Sequence, residues 1–311
     1  MLETTTETVV TVRDLRMRYG DHDVLTGVDF DIKAGEVLCL LGPNGAGKTT
    51  TIEILEGFRI RSAGEVSVLG EDPATAGETW RARTGVVLQS WRDHPRWTPR
   101  RLLTLIGAYY APYSTDRVTR PWPVDDLLDI VGLTDIADQK ISTFSGGQRR
   151  RLDVAMGIVG RPDLLFLDEP TAGFDPVARR DFHQLVHRLS DLESTTILLT
   201  THDLDEAEKL ADRVVILAGG RIVADDSPQR LAMRMAGETE VRWTRNGERF
   251  VHSTTDATKM LRELFAQYGD EVQELEVHRA SLEDAYLNLV QQHEAGRAEQ
   301  AAEAFAEVTG R

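Results

Sequence analysis

The chain has 311 residues, which sets a soft expectation of two domains at about 150 residues each. Lys and Arg number 36 against 51 Asp and Glu, and the net charge of −15 excludes a general nucleic-acid binder, whose affinity rests on cations neutralising phosphates. The single cysteine, Cys39, excludes an intramolecular disulfide and suits a reducing compartment, and no apolar run reaches the roughly 18 residues of a spanning helix.

In chain order, MLETTTETVV has neither a basic head nor a long apolar stretch, so no signal peptide is expected and the chain reads as a soluble cytosolic protein able to dock on a membrane partner. Residues 8–37 read as β, broken by the turn signal Ala34-Gly35. VLCLL at 37–41 is a short apolar run, as expected of a strand buried on both faces of a parallel sheet. TTTIEILEG reads as a helix closed by Gly57, and β segments follow at 64–70 and 84–89. Residues 91–160 read as a helical subdomain interrupted by prolines 95, 99, 112, 121 and 123.

DLLFLDEP is a further buried strand. In ARRDFHQLVHRLS, Phe182, Leu185, Val186 and Leu189 recur at i, i+3, i+4 and i+7, one helical face. TTILLTTHD is a strand, LDEAEKLA a short helix, and residues 214–224 a hairpin about Gly219-Gly220. Alternating buried strands and helices predict an α/β core. After about residue 235 the pattern restarts as a small α+β unit to 292, and the Ala/Glu-rich stretch 293–311 is expected to be a frayed helix or disordered. The expected domains are therefore 1–234, with the helical subdomain at about 91–160, then 235–292, then the tail.

GPNGAGKTT at 42–50 fits G-x-x-x-x-G-K-[ST] and stands between an apolar strand and a helix, the context a phosphate-binding loop requires. Its glycines let backbone N–H groups converge on phosphate oxygens, and the helix N-terminus adds partial positive charge. Lys48 reaches the β- and γ-phosphates and Thr49 offers its hydroxyl to Mg²⁺. This much implies a nucleoside triphosphate, and kinases, GTPases and motor ATPases share it. LLFLDEP at 164–170 delivers Asp168 and Glu169 to the mouth of a buried strand, where α/β sheets bind ligands. Asp168 is placed to hold the Mg²⁺ shell, and Glu169 to polarise water for in-line attack.

Five further segments join these: Tyr19 in MRYGDHDVL, Gln89 closing GVVLQ, FSGGQRRRLDVAMG at 144–157, GFD at 173–175, and His202 in LLTTHD. Their types and order over residues 8–225 resemble the ATP-binding cassette (ABC) ATPases. That resemblance implies a P-loop cassette: a mixed-sheet core with an antiparallel β subdomain and an inserted helical subdomain. It implies that Tyr19 stacks on adenine and that Gly42, Pro43, Asn44, Gly45, Ala46, Gly47, Lys48, Thr49 and Thr50 cradle the phosphates of ATP. Ser145, Gly146, Gly147 and Gln148 would face ATP held by another subunit, so that a homodimer closes head-to-tail around two ATP. Thr49, Asp168 and Gln89 would serve Mg²⁺, with Gln89 also sensing the γ-phosphate. Glu169, His202, Gln89 and Lys48 would carry hydrolysis.

GEVSVLGEDP, RRRLDVAMGIVGRPDLLFLDEPTAGFDP and SLEDAYLNLV resemble daunorubicin-resistance-type subunits. Those pair with a separate ABC-2-type membrane permease at the cytoplasmic face and export drugs, lipids or polysaccharides. Phe144 and Phe174 stand where that family usually has Leu, apolar swaps expected to pack. A non-transport ABC ATPase acting on a soluble complex is the alternative, and a small-molecule phosphotransferase a third reading that would not need SGGQ.

Other residues carry blander expectations. His183 and His187, four apart, read as a solvated face rather than a metal pair. Arg149, Arg150 and Arg151, and Asp205, Glu206 and Glu208, also read as solvated, the arginines with attraction of ATP as the alternative. Cys39 reads as core. Trp91, Trp97, Tyr109, Tyr110, Tyr113 and Trp122 suit either a subdomain core or a groove for a helix of the membrane subunit.

Overall fold

A computed structural model describes residues 7–87, 95–171, 174–193, 195–235, 239–245, 247–254, 256–278, 283 and 286. Two compact units divide the chain, Met1–Val223 and Ala224–Arg311.

The first unit opens with β1 (Thr8–Tyr19) and β2 (His22–Lys33), a long hairpin. There follow β3 (Val37–Leu41), α1 (Lys48–Leu55), β4 (Ala63–Val68), α2 (Glu78–Arg81) and β5 (Thr84–Val87). The strands β1, β2 and β4 form an antiparallel sheet of order β2-β1-β4. Val10, Val12, Leu15 and Met17 of β1 are buried in it, and the Trp80 indole N–H, fully buried on α2, donates to the Val68 carbonyl at 2.7 Å. A buried Trp needs that partner for its one donor.

The insert holds α3 (Pro99–Ala108), α4 (Val124–Ile130) and α5 (Gly146–Ile158), with short 3₁₀ turns between them. Prolines start or precede the helices rather than interrupt them: Pro99 is the first residue of α3, behind the cap Thr98, and Pro123 precedes α4. The described aromatic residues lie in different surroundings. Trp97 lies under the Arg101 guanidinium at 4.5 Å, Trp122 under Arg161 at 4.2 Å, and Tyr109 is exposed. The Tyr113 hydroxyl donates to Glu78, and Trp91 lies outside the described residues.

The core sheet is completed by β6 (Leu164–Asp168), α6 (Pro176–Glu193), β7 (Thr196–Thr201), α7 (Leu204–Leu210), β8 (Arg213–Ala218) and β9 (Arg221–Asp226), with strand order β5-β6-β7-β3-β8-β9. The five strands from β5 to β8 are parallel, and β9 returns beside β8 through the turn at Gly219-Gly220. The interior strands are apolar on both faces, as helices covering a parallel sheet demand: Leu38, Cys39, Leu40 and Leu41, and Leu164 to Leu167, are all fully buried. Cys39 is thus core, and burial pushes its thiol pKa well up. On α6 the stripe Phe182, Leu185, Val186 and Leu189 is buried, and Phe174 packs edge-on against Phe182 at 6.0 Å.

Three residues expected on solvated faces are buried instead. Arg150, 6% exposed, donates from Nε to the Pro170 carbonyl at 2.8 Å and so ties α5 to the segment after β6. His183 is 9% and Glu206 1% exposed, whereas His187, Asp205 and Glu208 do face solvent. The periodicity of α6 and α7 places one polar position of each helix on the side facing the other.

The second unit contains α8 (Pro228–Met235), β10 (Thr239–Arg245), β11 (Glu248–Thr254), α9 (Ala257–Tyr268) and β12 (Gln273–His278). Its antiparallel sheet has the order β11-β10-β12. Trp243 stacks on its cross-strand neighbour Phe250 at 5.5 Å, and Arg245 lies over Tyr268 at 4.2 Å. The expected tail and nearly all of SLEDAYLNLV lie outside the described residues.

Glu56, at the C-terminal end of α1, is 9% exposed, and its pKa is pushed up to about 8 by burial, with the charges of Asp168 and Glu53 adding. A carboxyl that keeps its proton longer in the folded than in the unfolded chain costs stability as pH rises through that window. In metal- and nucleotide-free buffer, Glu56→Gln should therefore melt near wild type at pH 5 and a few degrees above it at pH 8. Equal melting temperatures across that range by calorimetry would show that Glu56 is not a buried acid.

Candidate active site

Parallel register brings the C-terminal ends of β3, β6 and β7 to one edge of the sheet. That edge is where an open α/β sheet collects its ligand-binding loops. The 42–50 loop leaves β3, Asp168 ends β6, and His202 follows β7. Gln89 follows β5 but lies outside the described residues.

Residues Gly42 to Thr50 wrap from β3 into α1. Gly42 is required by close approach, since a Cβ there would stand 2.3 Å from the Leu217 carbonyl oxygen. Gly47, the residue capping α1, has φ of +107°, and its Cβ would meet Leu25 at 2.6 Å. The Lys48 ammonium is folded back under the loop and donates to the carbonyl oxygens of Gly42 at 2.8 Å and Pro43 at 3.3 Å. Burial lowers its pKa, while Glu169 and Asp168 work against that shift. Thr49 is exposed and Thr50 half-buried on the first turn of α1, whose leading N–H groups have no partner within the helix.

Glu169 stands opposite Lys48. Its Oε1 is 3.9 Å from Lys48 Nζ and 3.4 Å from His202 Nδ1, so the structure brings all three together. The Glu169 backbone is left-handed, at φ +42°, a conformation a non-glycine residue adopts at a cost and one that turns the chain sharply off the end of β6. Thr200 secures this turn. Its hydroxyl donates to Asp168 Oδ1 at 2.5 Å and accepts from the Glu169 N–H at 3.1 Å, and its carbonyl accepts from that N–H at 3.2 Å. Motif reading does not single out Thr200. The only signal is a hydroxyl closing an apolar strand, and its role needs the β6–β7 register that pairs it with Asp168.

Ser145 caps α5. Its hydroxyl accepts from the Gln148 N–H at 3.2 Å, and the Gln148 side chain accepts from the Ser145 N–H at 3.0 Å, a reciprocal capping box. Ser145, Gly146, Gly147 and Gln148 line a cavity of about 960 Å³ with Glu169 and Asp175, and its described lining includes no residue of the 42–50 loop. Among the described residues, then, the start of α5 and the 42–50 loop do not line one pocket, and Glu169 lies in both settings. Tyr19 is partly exposed at the end of β1, with the Arg59 guanidinium 5.1 Å over its ring.

Known proteins share this framework. Nod factor export ATP-binding protein I of Burkholderia lata is 40% identical over 223 residues, which cover 70% of this chain and 71% of that protein. The chain belongs to the ABC transporter family. The family pattern described as ABC transporter matches residues 25–172, and the Nod factor export ATP-binding protein I of Ralstonia nicotianae is 39% identical over 232 residues, 74% of this chain and 70% of that one. A solved ATP-binding subunit of an ABC transporter superposes with a TM-score of 0.61 at 29% identity, covering 73% of this chain and 93% of its own. An ATP-binding cassette in its ADP conformation shares the fold, with a TM-score of 0.63 at 23% identity over 72% of this chain and 93% of its own. The protein is an ATP-binding subunit of an ABC transporter, an ATPase coupled to transport, and such subunits work with membrane permease subunits. Among the described residues no helix of this cassette is long and apolar enough to cross a membrane.

Lys48→Ala should weaken binding of a fluorescent ATP analogue at least about tenfold, the effect of losing one charge-assisted contact to phosphate. Unchanged affinity together with unchanged turnover would remove Lys48 from the site.

Proposed function

We propose that this cassette hydrolyses ATP between two copies of itself and thereby drives export through a separate ABC-2-type permease, from the cytoplasmic face of the membrane. The observation that carries the reading is the Glu169 carboxylate held between Lys48 and His202. Lys48 exchanges its bonds to the Gly42 and Pro43 carbonyls for oxygens of the β- and γ-phosphates, which answer its buried charge better than neutral carbonyls do. The N–H groups at the start of α1 hold the same phosphates, and Tyr19 stacks on adenine. Glu169 takes a proton from water as the water oxygen attacks the γ-phosphorus, and ADP leaves with the bridging oxygen. His202, hydrogen-bonding distance from Glu169 and 58% exposed, holds the γ-phosphate and the water in line.

Mg²⁺ fits the hard oxygen donors at this edge, the exposed Thr49 hydroxyl and the half-buried Asp168 carboxylate that Thr200 orients. Bound there, and with Gln89, it supplies positive charge to the β- and γ-phosphate oxygens.

The second copy is called for by the separation of the capped α5 terminus from the 42–50 loop within one chain. Ser145, Gly146, Gly147 and Gln148 then meet the γ-phosphate held by the partner. A second cavity of about 390 Å³ between the core and the helical insert is lined by Phe58, Arg81, Val86, Ile106, Tyr110 and Met156, with Glu56. It is the groove we assign to a helix of the permease. Export is supported by the relatives, which are named as ATP-binding proteins of Nod factor export.

Glu169→Gln should abolish steady-state hydrolysis while keeping ATP affinity, and should accumulate an ATP-bound dimer in light scattering. Normal turnover by this variant would take the base role away from Glu169. Ser145→Arg should leave the monomer folded and block the ATP-dependent dimer, and a dimer that still forms would exclude the two-copy site.

A further inference from the structure

The helices α6 and α7 begin where the site's segments end. α6 starts just after Asp175, and α7 just after His202. They are joined at the surface by Arg179 Nη1, which donates to Asp203 Oδ2 at 2.8 Å. Asp203 also accepts the Glu206 N–H at 3.2 Å as the cap of α7, and its own N–H donates to the Thr201 hydroxyl at 3.0 Å. His202 is therefore flanked by a residue whose position is set from α6.

Beneath this surface pair lies a second, buried one. His183 Nε2 and Glu206 Oε1 face each other at 4.0 Å, and neither atom has a hydrogen-bond partner among the described residues. Burial raises the Glu206 pKa, and the nearby hydroxyls of Thr201, at the end of β7, and Thr171, three residues past Asp168, work against that shift. Nearly all buried polar groups in folded proteins are paired, because leaving one unpaired costs its full desolvation. Two such atoms pointing at each other, short of contact by about 1 Å, define a contact that a small approach of α6 to α7 completes.

We propose that His183 and Glu206 are a positioning pair: on nucleotide engagement their buried atoms close into a hydrogen bond, and α7 is thereby set so that His202 is held against Glu169 and the γ-phosphate. The proposal deepens the hydrolysis reading above and rests on it. Neither residue touches ATP. The path is short: the Glu206 N–H is bonded to the cap Asp203, and Asp203 is joined covalently to His202.

The test uses the full chain and three readouts: steady-state ATPase, affinity for a fluorescent ATP analogue, and thermal melting. His183→Phe keeps the ring and removes the nitrogen. It should lower kcat about tenfold or more, the scale of a misplaced catalytic group, with KM for ATP and analogue affinity within about twofold of wild type. His183→Gln, which reaches Glu206 with an amide, should restore kcat to within about threefold. The double variant His183→Phe, Glu206→Leu should lose no more kcat than His183→Phe alone, since a pair acting as a unit is broken once. Wild-type kcat in His183→Phe overturns the proposal. So does a variant in which kcat, affinity and melting temperature fall together without rescue by Gln, which is a packing effect. If His183→Phe does not fold, His183→Asn, too short to reach Glu206, is read against the same outcomes. His202→Ala and Glu169→Gln separate the two readings. If both still turn over ATP the hydrolysis assignment fails, and if both are dead while His183→Phe is normal only the pair fails.

Discussion

A buried ammonium organises this molecule. Lys48 is 6% exposed, bonded to two neutral carbonyls, and 3.9 Å from the Glu169 carboxylate. Desolvation disfavours its charge, so the site is poised for an anion that satisfies it more fully. The groups of this site arrive on the ends of three strands: the loop itself from β3, Asp168 and Glu169 from β6, His202 from β7. The parallel register of these strands is what makes the site possible, because it puts their C-terminal ends on one edge.

Around that edge the chain spends its polar residues on holding backbone in place. Thr200 takes both neighbouring acids in hand, orienting Asp168 through its hydroxyl and fixing the left-handed turn of Glu169 through its hydroxyl and carbonyl. Arg150 reaches from α5 to the Pro170 carbonyl, so the helix that begins at Ser145 is connected to the segment that follows Glu169. α5 and the strand that carries the acids are thus tied together, with Glu169 lining the cavity on one side and approaching Lys48 on the other. A residue with two such neighbourhoods is within reach of both the 42–50 loop and the cavity at the start of α5.

The link between α6 and α7 belongs to the same logic. One ion pair lies at the surface, Arg179 with Asp203, and one incomplete buried pair lies below, His183 with Glu206. These two buried atoms, 4.0 Å apart and each without a hydrogen-bond partner among the described residues, are where the proposed closing of α6 on α7 would act.

Much of the cassette was legible in the linear order. The loop 42–50 between an apolar strand and a helix, the apolar runs at 37–41 and 164–167, the i, i+3, i+4, i+7 stripe on α6 and the hairpin at Gly219-Gly220 are local patterns, set by glycine conformation and by the periods of helix and strand. Such patterns need only neighbours in the chain, and so the strands, loop and helices expected around the acids and the phosphate loop agree with the structure. What the order of residues did not decide is which polar side chains turn inward. Arg150, His183 and Glu206 are of residue types ordinarily exposed, and their burial follows from the surface that lies opposite, Pro170 for one and a neighbouring helix for the others. The partnership of Thr200 with Asp168, 32 residues apart, likewise exists only through the pairing of β6 with β7. The sequence by itself determined the elements and the chemistry they carry, because both are written in local spacing. Tertiary structure alone decided the supporting contacts, because burial and register depend on what the rest of the chain brings alongside.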